Sequence, residues 1–149
     1  MKKIFLVLTL SCIFFSCKDA QTEVEAQQEK TITASKNTFE NLQEEAMEAH
    51  DAVMPKMGDL MKLKQELSAI NTTDSAIDEQ KMALQMAHDD MMSWMHSYSE
   101  KFPYGFELPA DPVIAAQKLE EMKEEHRKIV ELKGRTVKAI AQAEDLLDQ

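Results

Sequence analysis

The sequence predicts an all-α fold, an antiparallel bundle of three long helices. From Asn37 to Leu147 apolar residues recur three and four positions apart, the spacing of one helix face. No alternating run of useful strand length interrupts them. Only two segments carry helix-stopping chemistry, Asn71-Thr72-Thr73-Asp74 and Pro103-Tyr104-Gly105-Phe106-Glu107-Leu108-Pro109. Long helices joined by such short breaks pack as antiparallel neighbours.

Residues 1–16 read as a signal peptide. Met1-Lys2-Lys3 gives a basic start, and Ile4 to Phe15 is an apolar core of about a dozen residues. That core is too short to span a bilayer, which takes about 20 apolar residues. Ser16 then precedes Cys17. Cys12 competes as the processing site after Thr9-Leu10-Ser11, but it leaves an apolar core of only about eight residues, so Cys17 is the expected one. Both cysteines lie in this segment, so residues 37–149 hold no disulfide and no thiol ligand.

Residues 17–36 are expected to form a flexible tether behind Cys17. The stretch from Lys18 to Lys36 has scarcely a large apolar residue with which to offset its ordering entropy. The helical domain is then 37–149. Its first helix starts near Asn37, with Glu40 at capping-box spacing, and runs to about Ile70. Pro55 inside it frees the Asp51 carbonyl and should kink the helix beside His50. The second helix takes its N-cap from the 71–74 turn and runs to about Phe102. Asp111-Pro112 supplies an N-cap followed by proline at the first helical position, and the third helix runs to about Leu147. Gly134 costs it about 1 kcal/mol relative to alanine, too little to break it.

Composition excludes several classes of function. The whole chain carries Lys+Arg 17 against Asp+Glu 27, a net −10. Removing residues 1–16 takes Lys2 and Lys3 with it, leaving 15 against 27, or −12. A surface of that sign repels polyanions, so no nucleic-acid partner is expected. Three scattered glycines (Gly58, Gly105, Gly134) build neither a P-loop nor a dinucleotide fingerprint. Di-iron bundles need Glu three residues before an inward His. Here Met47, Gln85 and Lys123 occupy those places before His50, His88 and His126. His-Glu-x-x-His is absent, and no serine or cysteine nucleophile motif is present, so the chain reads as a non-enzyme.

Methionine is the one chemical lead. Of 11 methionines, nine fall between Met47 and Met95. The expected inward stripes are Met47, His50, Met54, Met57 and Met61 on the first helix, backed by Val53, Leu60, Leu63 and Leu67; Leu84, His88, Met91, Met95, Tyr98 and Phe102 on the second; and Leu119, Met122, His126 and Ile129 on the third, with Val130, Val137, Ile140 and Leu147 nearby. Reversal near residue 72 sets His88 level with Met57 and His50 with Met95. Setting Phe102 opposite Pro112 puts His88 level with His126 and Met92 with Met122. The candidate ligand layer is therefore His50, His88 and His126 with Met54, Met57, Met91, Met92 and Met122. Thioethers and imidazoles without thiolate suit copper, Cu(I) above all. Haem between His and Met, or an apolar ligand pocket, is a further use of such a layer. The plain alternative is a core filled by methionine, with each histidine held by a nearby carboxylate. His96 is expected on the surface, and Trp94 as a core or groove anchor.

Two resemblances bear on place and role. Phe14-Phe15-Ser16-Cys17 resembles a bacterial lipobox, which implies Cys17 as an acylated (palmitate-type) first residue of the mature chain. Lys18-Asp19 resembles the short charged signal by which some Bacteroidota lipoproteins reach the cell surface. The helical part, with Ala49-His50-Asp51, Met54-Pro55-Lys56-Met57, His88-Asp89 and Met91-Met92, is similar to small Bacteroidota lipoproteins of uncharacterised function. Some of these bear a "viral A-type inclusion protein" label, which implies no activity. The resemblances imply an outer-membrane lipoprotein of the cell envelope, facing periplasm or surface. Its partners would be the membrane, through its lipid, and an envelope protein.

Overall fold

The computed structural model describes residues 18–71 and 73–148, with side chains at 27, 29–71 and 73–148. The signal peptide, Cys12 and Cys17 lie outside the described residues. The described chain is all-α: α1 Lys18–Val53, a 3₁₀ turn at Met54–Lys56, α2 Met57–Ala69, α3 Ser75–Lys101 and α4 Pro112–Leu147. α1 and α2 together make the first rod of a three-rod bundle. α3 runs back against it, and α4 packs on both.

Local chemistry explains most boundaries. Pro55 sits in the 3₁₀ turn, so the kink expected beside His50 appears as a break between α1 and α2. Asp74 caps α3, its Oδ1 accepting from Ala76 N at 2.9 Å. Asp111 caps α4 by accepting from Val113 N at 2.9 Å and Ile114 N at 3.0 Å, with Pro112 behind it. In the α3–α4 loop Phe106 N donates to Pro103 O at 2.9 Å. Gly105 has φ +78 in that turn, a conformation that a type II turn asks of its third residue.

The start of the first helix differs from the sequence expectation. α1 begins at Lys18, not near Asn37, so the segment expected as a flexible tether is helical. It is rich in Ala, Glu, Gln and Lys, good helix formers that need no core. From Glu29 to Thr38 only Ile32 and Ser35 are partly covered, and Phe39 is the first buried residue among those described. From Lys18 to Phe39 the helix is about 31 Å long, and most of its described side chains are exposed.

The core has two parts. Phe39, Ala46, Ala49 and Val53 pack with Met91, Trp94, Met122 and Ile129 toward the loop end. Leu60, Leu63 and Leu67 pack with Ile77, Leu84, Ala139 and Ala143 at the other. Aromatic rings run along the first part: Trp94–Tyr98 at 4.8 Å, Tyr98–Phe102 at 5.5 Å and Phe102–Phe106 at 5.3 Å.

Candidate functional site

The levels expected between the first and second rods hold, with His50 beside Trp94 and Phe39 beside Phe102. The register expected between α3 and α4 does not. Gln80 Nε2 donates to Ala139 O at 2.6 Å, and Trp94 Nε1 to Glu125 O at 3.2 Å. His126 is thereby level with about Ser93, five residues or about 7 Å along the axis from His88. The physical reason is the loop. It folds Phe106 back onto Phe39 and Phe102, at 5.6 and 5.3 Å, so α4 begins beyond the end of α3. Lys118, not Pro112, then sits over the Phe102 ring, at 5.7 Å.

The expected inward stripes hold at Leu84, Met91, Tyr98, Phe102, Met122 and Ile129, and fail at the three histidines and at Met54 and Met61. The buried positions are Ala49 rather than His50, Ala87 rather than His88, and Glu125 rather than His126. Each histidine stands one residue, about 100° of helix, past the core position. Their side chains are 16–30% exposed, at the edges of the bundle. Each has a carboxylate: His50 Nδ1 lies 2.9 Å from Asp51 Oδ1, and His88 Nδ1 3.1 Å from Asp89 Oδ1. His126 Nε2 lies 3.1 Å from Glu45 Oε2, joining α4 to α1. The Gln85 amide first, and His88 next, hold the Asp89 carboxyl below its ordinary range. His96 is on the surface near Glu100, at 3.4 Å.

The methionines divide in the same way. Met91 and Met122 are fully buried in one cluster, and Met57 is half-buried between the two parts of the core. Met54 and Met92 are exposed. Met91 and Met122 thus belong to the same core cluster. His88 and His126 stand on separate edges, and Met54 and Met92 stand outside, so the eight candidates do not converge into one layer. Among the described residues no group of three or more His, Cys, Asp or Glu is placed to hold a metal ion.

A polar feature missed in the sequence lies between α3 and α4. Glu125 is fully buried, and its Oε1 accepts from Lys101 Nζ at 2.6 Å and Lys128 Nζ at 3.0 Å. Its Oε2 has no hydrogen-bond partner. Beside it a groove of about 280 Å³ is lined by Asp90, Ser93, Trp94, Lys128, Leu132 and Arg135. Arg135 Nη2 closes on Asp90 Oδ2 at 2.9 Å across the same groove. Burial pushes the Tyr98 hydroxyl up, although it lies beside Gln43 without a well-formed hydrogen bond. The signal for Glu125 was its heptad-like step from Met122 to Ile129, hidden because Glu120-Glu121 and Glu124-Glu125 read together as a solvated face.

Opposed charges and the edge of Trp94 line this groove. Comparison with protein-family models, with curated proteins and with solved structures finds no match.

Proposed function

We propose that the chain is a lipid-anchored, non-enzymatic helical-bundle protein of the bacterial cell envelope, with a structural or interaction role. The observation that carries this reading is the leader: two lysines, an apolar core and Ser16-Cys17, followed by a cysteine-free domain. Acylation of Cys17 would hold the chain at the outer membrane. That α1 already begins at Lys18, about 31 Å ahead of Phe39, supports the role of presenting the bundle at a distance from its anchor. Methionine serves here as core filler, at Met91 and Met122 foremost.

The test is fractionation of a bacterial host expressing the full chain. The wild type is expected in the membrane fraction and released only by detergent. Cys17→Ser is expected to leave the fraction that detergent alone releases. Equal partition of the two into the soluble fraction refutes lipid anchoring.

A further inference from the structure

We propose that the groove between α3 and α4 is the interface of a twofold dimer, occupied by a second copy of this chain in parallel orientation. The proposal gives the interaction role above a partner, and it stands whether or not Cys17 carries lipid.

The groove runs from Ala76 to Ser97, about 30 Å along α3. Its middle is floored by small residues, Ala83, Ala87 and Ala139. Small floors admit the side chains of another helix pair. On the α3 rim Met86 lines the groove and is 59% exposed, and Met82, one turn before it on α3, is 64% exposed. Two long apolar side chains held in water on one rim gain by burial, at roughly 25 cal/mol per Å².

Charge names the occupant. Glu79 stands on the α3 wall and Lys138 on the α4 wall of the same groove, level with each other beside the Gln80–Ala139 hydrogen bond. Neither makes an ion pair within the described residues, whereas Asp90 is matched by Arg135 and Lys128 by Glu125. In a twofold contact, residue i meets j and j meets i. A twofold axis running along the groove exchanges its two walls and so sets each Glu79 against the other copy's Lys138, twice over. The same operation brings Met86 of each copy over the α4 wall of the other. A foreign helix of one charge sign would satisfy only one wall.

The footprint, about 30 Å long and two helices wide, is about 600 Å² a side, at the low end for a specific interface. The chain's net −10 opposes self-association. The dimer is therefore weak, its register set by the two ion pairs.

The test is native mass spectrometry of the full chain in mild detergent at tens of micromolar, which reads stoichiometry and lipid mass separately. Wild type is expected at twice the single-chain mass. Glu79→Lys and Lys138→Glu, both at exposed positions, are each expected to give monomer with unchanged helical circular dichroism. The double reversal Glu79→Lys/Lys138→Glu is expected to restore the dimer. A monomeric wild type overturns the proposal. So does a dimer indifferent to both single reversals, or one that the double reversal fails to restore.

Discussion

Replacing Glu125 with methionine tests how the bundle tolerates a charge at its centre. The carboxylate is fully buried, with one oxygen shared by Lys101 and Lys128 at 2.6 and 3.0 Å and the other without a partner. A buried oxygen with no partner costs about 1–3 kcal/mol. Desolvating the ion costs several more, which the two half-exposed lysines recover only in part. Methionine has a similar length and needs no partner, and it would sit against Trp94 and Leu132. Glu125→Met is therefore expected within about 1 kcal/mol of wild type, or up to about 2 kcal/mol more stable. Lys101→Met/Lys128→Met leaves the carboxylate buried and unpaired and should lose about 3–5 kcal/mol. Urea unfolding followed by far-ultraviolet circular dichroism reads both as midpoint shifts at a common slope. A loss above about 3 kcal/mol for Glu125→Met, with the lysine pair variant near wild type, would refute the reasoning.

Truncation of the methionines separates core from surface. Met122→Ala is expected to cost about 2–5 kcal/mol and Met92→Ala under about 0.5 kcal/mol in the same assay; equal losses would contradict the division of buried and exposed sulfurs. Acid should weaken the fold modestly. Lys118 holds Glu121, and Arg127 holds Glu124, below the ordinary 4.5, as Gln85 holds Asp89 below 3.8. Lowered folded values mean that this stability is present above the ordinary values and is lost as pH falls through the folded ones. A melting temperature constant from pH 7 to 5 and falling below about 4.5 is the expected profile. Cu(I) competition should find equal, weak binding by wild type and His88→Ala/His126→Ala; a stoichiometric site lost in the double variant would restore the copper layer.

Sequence made the helices legible wherever a terminus carries its own chemistry. Asp74, Asp111-Pro112 and Pro55 each act through a backbone group next to them, and each sits where its chemistry requires. The helix before Phe39 was hidden for the opposite reason. An exposed helix needs only propensity, and a polar stretch of Ala, Glu and Gln reads equally as coil. Register between α3 and α4 depends on a long-range event, Phe106 folding back on Phe39, which no spacing rule contains. The histidine layer failed by a single residue on each helix. Ala49 and Ala87 occupy the core positions, and small side chains there let the rods approach closely. A search for large apolar residues passes over them and settles on the histidine next door.

The anchoring claim is tested most directly by intact-mass analysis of the mature protein from a bacterial host. A chain beginning at Cys17 and carrying the mass of acyl chains, both lost in Cys17→Ser, is the expected result. An unmodified chain that retains residues 1–16, or one cut elsewhere without lipid, would contradict it.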